Sequence, residues 1–205
     1  MPDIIESYKT IASPSKGFYK DKNSKFHSFA FNVNNEQEIK EFHFKIKKEY
    51  HDAKHHCFAW CLNPDKSKCR VNDDGEPGNS AGTPILNQIY SYDLTNILII
   101  VVRYFGGTKL GIPGLINAYK NSAADAINNS TIIVKRIVQT FNILFDYKNV
   151  NKIMRIIRDY NIEIYNQKFD NICEMNIGIE IKLIDSVISK FVLISGTTVE
   201  HLNID

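Results

Sequence analysis

With 205 residues, 43% of them hydrophobic and 23% charged, the chain has the make-up of a globular protein long enough for two small domains. Its longest apolar run, Ile97 to Val102, falls far short of the ~20 residues a membrane span needs. The opening Met1-Pro2-Asp3 lacks the apolar core of a secretory signal, so a cytoplasmic location without membrane contact is expected. A net charge of +2 is too small to be a nucleic-acid footprint by itself.

Residues 16–33 read as two strands joined by the polar turn Asp21-Lys22-Asn23-Ser24. Lys16, Lys20, Lys22 and Lys25 alternate there with Phe18, Tyr19 and Phe26. That interleaving fits either a solvated lysine face or a surface that tracks phosphates and stacks bases. A helix follows: Asn35 can cap it, Glu38 completes a capping-box pattern, and Ile39, Phe42, Ile46 and Tyr50 recur at helical spacing. His55–Leu62 is strand-like, with Phe58, Trp60 and Leu62 on one face and His55, Cys57, Ala59 and Cys61 on the other. After the turn Asn63-Pro64-Asp65, Lys68–Val71 returns as a short partner strand.

Three of the four cysteines, Cys57, Cys61 and Cys69, cluster near His55 and His56 without a C-x-x-C pair. Cys57 and Cys61 share one strand, about 13 Å apart, too far to meet one zinc ion through bonds of about 2.3 Å. The expectation is reduced, packed thiols with no metal and no disulfide framework.

Asp73-Asp74-Gly75-Glu76-Pro77-Gly78 is an irregular acidic turn, followed by a short helix from about Ala81 to Ile89. Ile97–Val102 has the pattern of a strand covered on both faces. It runs through Arg103 and Tyr104 into Gly106, Gly107, Lys109, Gly111 and Gly114, ahead of a helix whose buried face is expected at Ile116, Tyr119, Ala123 and Ile127. After Thr131 the remainder reads β-α-β-β-α-β: strands near 137–147, 162–169, 172–183 and 198–204, helices near 150–160 and 185–195. This is the order of a ferredoxin-like domain.

The functional residues expected from this reading lie between His55 and Gly114. Asp73, Asp74 and Glu76 could hold a hard cation or act as acid and base, or they could cap turn amides, with Glu76 pairing with Arg103. Arg103, Lys109 and the glycines at a helix start suit a phosphate or RNA backbone. They match neither a Walker A loop nor a G-x-G-x-x-G fingerprint. Adjacent His55 and His56 point to opposite faces, and no nucleophile elbow or catalytic-cysteine context accompanies Ser80 or Cys57.

Taken together, Asp52-Ala53-Lys54-His55-His56-Cys57, Asp73–Pro77, Ala81–Leu86, Val101–Gly107, Lys109-Leu110-Gly111, Gly114-Leu115 and Ala118-Tyr119 resemble the IMPACT/YigZ family. The resemblance implies an α+β chain. Its N-terminal domain, residues 1–133, would be like the left-handed βαβ fold of a ribosomal protein and of domain IV of elongation factor G. Its ferredoxin-like C-terminal domain, 134–205, would be like domain V of that factor. It also implies translation-related regulation with RNA or the ribosome as partner; no cofactor is expected, and a non-enzymatic role is the first reading, with catalysis left open. The residues it points to are His55, His56, Asp73, Asp74, Glu76, Arg103, Tyr104, Gly106, Gly107, Lys109, Gly111 and Gly114. The open alternatives are a metal- or phosphate-dependent hydrolase built on the acidic turn and histidines, and a protein-interaction module. Pro113 stands where the family usually has glycine, and Asn117 where many members have arginine.

Overall fold

The computed structural model describes residues 5–202. The described chain forms two compact units, one built from Ser7–Lys135 and the other from residues 136–202 with residues 5–6. Among the described residues no helix is long and apolar enough to cross a membrane.

The first unit holds β1 (Ser7–Ile11), β2 (Ser15–Asp21), β3 (Ser24–Asn32), α1 (Glu36–Glu49), β4 (His55–Leu62), β5 (Lys68–Asn72), α2 (Gly82–Ser91), β6 (Ile97–Tyr104), α3 (Gly111–Asn128) and β7 (Ile132–Arg136). Five strands make one sheet in the order β2-β3-β6-β4-β5, every neighbouring pair antiparallel. The expected turn after Asp21 is a two-residue hairpin: Lys22 (φ 41°) and Asn23 (φ 65°) both take the positive φ that matches strand twist. Asn35 caps α1, its side chain accepting from the Glu38 N–H at 2.9 Å. The Glu38 carboxylate reaches back to the Asn34 N–H instead of the Asn35 N–H a strict capping box would use.

β6 is the middle strand, and its apolar run is buried on both faces. One face packs Phe29, Phe31, Trp60, Leu98 and Ile100 under Ile39 and Ile46 of α1. The other packs Ala30, Cys57, Ala59, Ile99 and Val101 under Ile85 and Ile89 of α2 and Leu115, Tyr119 and Ala123 of α3. The buried stripe of α3 runs through Leu115, Ala118, Tyr119, Ser122, Ala123, Ala126 and Ile127. Ile116, expected inside, is exposed because it lies one residue off that stripe.

β1 and β7 pair with each other as a small separate sheet, and neither was legible beforehand. Their residues lack the long alternating pattern that marks the other strands. The cysteine expectation also fails: Cys61 and Cys69 are joined as a disulfide. They are direct cross-strand partners in β4 and β5, with Cα atoms 4.1 Å apart. Cys57 and Cys173 remain free and buried.

The second unit contains β8 (Val138–Asp146), α4 (Val150–Asp159), β9 (Glu163–Lys168), β10 (Ile172–Glu180), α5 (Ile184–Val192) and β11 (Thr197–Leu202). Its antiparallel sheet runs β11-β8-β10-β9, the ferredoxin-like order. Ile153 and Ile157 of α4 and Val187 and Phe191 of α5 cover Phe145, Met175 and Ile177. β10 ends at Glu180, earlier than expected, because Ile181–Leu183 tighten into a 3-10 turn that starts α5. The expected end of the last strand, 203–204, lies outside the described residues.

Candidate functional site

Strand alternation sorts the expected residues before any side chain is considered. Arg103 and Tyr104 are consecutive on β6, so they project to opposite faces of the sheet. His55 is the register partner of Arg103, and His56 that of Val102. Arg103 and His55 therefore share the face covered by α2 and α3, whereas Tyr104 and His56 lie on the α1 face.

On the α3 face, Lys54, His55, Glu76, Pro77, Arg103, Phe105, Lys109, Leu110, Gly111, Ile112 and Leu115 line a cavity of about 510 Å³. That is within the usual size range of small-molecule sites. Arg103 anchors it. One of its Nη atoms lies 2.6 Å from the Glu76 carboxylate, with 8% and 4% of the two side chains exposed. Its guanidinium also sits 5.6 Å from the Phe26 ring centre and 5.7 Å from that of Phe105. Behind the ion pair, the Tyr119 hydroxyl donates to the same Glu76 oxygen at 2.8 Å. The Cys57 Sγ lies 3.3 Å from that hydroxyl and 3.0 Å from the Asp73 carbonyl. Burial pushes both the Tyr119 phenol and the Cys57 thiol well above their ordinary values. Cys57 is thus held as an inert thiol rather than a nucleophile.

The acidic turn is mostly structural. Asp73 accepts from the backbone N–H groups of Asn79, Ala81 and Gly82 at 2.9, 3.0 and 2.8 Å. It thereby caps α2, whose own N-cap residue, Ala81, makes no side-chain bond. Asp74 accepts from the His56 N–H at 2.7 Å, and its carbonyl receives Nδ1 of His55 at 2.8 Å. His56 is buried, with Nε2 2.9 Å from the Tyr50 carbonyl. Among the described residues, no group of three or more His, Cys, Asp or Glu side chains is arranged to hold a metal ion.

The glycines divide similarly. A Cβ on Gly106 would lie 2.1 Å from the Asn23 backbone, so Gly106 lets the strand exit pass against the β2–β3 turn. Gly107 and Gly111 take φ of 87° and 72°, which side-chain-bearing residues rarely adopt. Gly111 opens α3 at the cavity, and Gly114 packs in the first turn beside Leu110. The structure therefore brings His55, Glu76, Arg103, Lys109 and Gly111 into one cavity. It leaves His56, Asp73, Asp74, Tyr104, Gly106, Gly107 and Gly114 outside the lining. Sequence reasoning passed over Lys54, Phe105 and Ile112, although Lys54 precedes His55 and Phe105 separates Arg103 from the glycines.

The α1 face carries a second feature at the same end of the sheet. The His27 ring lies 5.0 Å from Phe18, 6.0 Å from Tyr104 and 6.1 Å from Tyr50, centre to centre. Phe18 is 47% exposed. Lys16, Lys20 and Lys25 surround this row on the same face, and Lys20 and Lys25 are direct cross-strand partners. Among the described residues none of the three is in an ion pair. Asp52 accepts from the Tyr104 hydroxyl at 2.6 Å, and this bond, with burial, raises the phenol to about 12.

Fold and site together define a two-unit α+β protein whose first unit presents a basic, part-apolar cavity on one sheet face and an aromatic–lysine row on the other. The Impact N-terminal domain profile matches residues 22–127. The chain is 33% identical over 156 residues to IMPACT family member YvyE of Bacillus subtilis, covering 76% of this chain and 72% of that one. It is 32% identical over 173 residues to an IMPACT family member of Haemophilus influenzae, covering 82% and 83%. A solved structure described as a hypothetical protein superposes with a TM-score of 0.72 at 27% identity, over 98% of this chain and 99% of that one. The chain belongs to the IMPACT family.

Proposed function

We propose that this protein is a non-enzymatic, translation-related regulator acting in the cytoplasm, and that it binds single-stranded RNA, including that of the ribosome. RNA lies across the α1 face of β2, β3 and β6. The observation that carries this reading is the row Phe18, His27 and Tyr104 ringed by Lys16, Lys20 and Lys25. The exposed Phe18 ring, continued by the half-buried His27 and Tyr104, gives bases a stacking surface, and lysines free of ion pairs among the described residues follow the phosphates. Two like charges directly opposite on neighbouring strands cost stability, and an anionic partner offsets that cost. Membership of the IMPACT family supports translation as the setting.

The test is fluorescence anisotropy with a single-stranded oligoribonucleotide, together with co-sedimentation with ribosomes, across a salt series. Binding falls steeply with salt, and the triple change Lys16→Ala, Lys20→Ala, Lys25→Ala flattens the log–log slope by about 2, three phosphate contacts at roughly 0.7 each. Absence of binding to either partner at low salt refutes the reading.

A further inference from the structure

We propose that the cavity on the α3 face is a binding site for a small phosphate monoester bearing a flat apolar group, the chemistry of a nucleoside monophosphate. Its lining carries three cations, Lys54, Arg103 and Lys109, against the single carboxylate of Glu76. Glu76 is already engaged by Arg103 and Tyr119, so its charge is spent inside the protein. Among the described residues neither Lys54 nor Lys109 is in an ion pair, and both are exposed. The excess of two positive charges matches a phosphate dianion.

Arg103 supplies the independent sign of a ligand. It is more than nine-tenths buried, it lines the cavity, and among the described residues its Nε, secluded from solvent, has no hydrogen-bond partner. Buried guanidinium donors are ordinarily satisfied. Among the described residues only one nitrogen of the fork is used, so the group has donor capacity beyond what Glu76 takes up. The start of α3 adds a second donor set. Gly111 begins this 18-residue helix at the cavity wall, no side chain caps it, and no acidic residue sits in its first turn. Its free N–H groups and positive end favour an anion.

The remaining lining sets the other half of the ligand. Phe105 is 57% exposed, and Ile112, Leu110, Leu115 and Pro77 form an apolar wall with it. Inorganic phosphate alone leaves that wall wet, whereas a planar base covers it and stacks on Phe105. His55 spends Nδ1 on the Asp74 carbonyl, which leaves Nε2 uncommitted among the described residues.

The site is separate from the RNA face, because Arg103 and Tyr104 point to opposite sides of the sheet, and it stands whether or not RNA binds there. The experiment is calorimetric titration of the full chain with AMP, GMP, CMP and UMP, with adenosine and inorganic phosphate as controls. At least one monophosphate binds, and about tenfold more tightly than either adenosine or phosphate. Lys109→Ala and Lys54→Ala, both surface changes, each weaken it about five- to tenfold, with Trp60 fluorescence confirming an intact fold. The triple lysine variant of the α1 face binds the nucleotide unchanged. Three results overturn the proposal: silence with all four monophosphates, inorganic phosphate binding as tightly as the best of them, or an unaltered affinity in Lys109→Ala. Loss of nucleotide binding in the triple variant places the ligand on the wrong face and overturns it equally.

Discussion

Replacing Glu76 by alanine tests whether the Arg103 ion pair is a buried strut. Both side chains are less than a tenth exposed and 2.6 Å apart. Removing the carboxylate strands the guanidinium between Phe26 and Phe105 and deprives the Tyr119 hydroxyl of its acceptor. Breaking a buried pair from one side costs about 3–5 kcal/mol. The open cavity lets water reach part of the site, which favours the lower end, about 3 kcal/mol. The chain has a single tryptophan, Trp60, inside the core under α1, so its fluorescence reports unfolding of the first unit alone. That matters because a two-unit chain need not unfold in one step. With a urea slope of roughly 2 kcal/mol/M for a unit of this size, the midpoint falls by about 1.5 M. Lys66→Ala, which removes a pair to the 64% exposed Asp93, serves as the surface control and costs under about 1 kcal/mol. Glu76→Leu combined with Arg103→Met recovers most of the loss, since the charge to be compensated is gone. A loss in Glu76→Ala no larger than that of the Lys66 control would falsify the strut.

Tyr119→Phe keeps the packed ring but removes one donor to Glu76, and it lowers stability by about 1 kcal/mol in the same urea assay; no change means the hydroxyl bond contributes nothing. Reducing the Cys61–Cys69 bond, which closes a short loop across two strands, destabilises the first unit by about 2–2.5 kcal/mol, measured with and without reductant. An identical midpoint in both contradicts it. Burial, and then the charge of Lys25, hold His27 below the ordinary 6.5. A depressed histidine favours the neutral fold, so its contribution to stability is present above 6.5 and lost as pH falls through the lower folded value. RNA affinity follows the same titration in the opposite sense: it is flat above 6.5, rises only below it, and loses that rise in His27→Phe. A rise that begins above neutrality counts against the row as the RNA surface. Asp52→Asn removes the acceptor that raises Tyr104, so the phenol ionises below about 12 in an absorbance titration.

Elements with a strong period were legible in the sequence. Ile97–Val102 had to be a central strand because no exposed strand tolerates six consecutive apolar residues. The alternation of β10 through Cys173, Met175, Ile177 and Ile179 marks one face of the second sheet from sequence alone. What escaped was non-local. β1 and β7 are short and become strands only by finding each other across most of the first unit. The disulfide was within reach, since the hairpin turn at 63–65 sets Cys61 opposite Cys69, but it required fixing a register rather than recognising a strand. The acidic turn was ambiguous for a comparable reason. Its three carboxylates are neighbours in sequence, yet Asp73 caps a helix eight residues on, Asp74 pins β4, and only Glu76 enters the cavity. A cluster in one dimension dispersed into three jobs in three directions.

The two faces of the β6 end differ in rigidity as well as chemistry, and the difference suits the ligands proposed for them. Arg103 is fixed from behind by a chain of buried contacts through Glu76, Tyr119 and Cys57 to the Asp73 carbonyl, and Asp73 is itself fixed to the start of α2. A donor fork held that way loses little freedom when an anion arrives, which favours a small ligand that can contribute only a few contacts. The opposite face has no such backing. Phe18 is on an edge strand, and the lysines around it are exposed and free of ion pairs among the described residues. Long, solvated side chains there can follow a backbone of varying sequence and curvature, and a stacking ring accepts any base. One strand thus delivers a pre-set guanidinium to one side and an adaptable aromatic row to the other, separated by the thickness of the sheet. Binding on either side leaves the buried network between them intact.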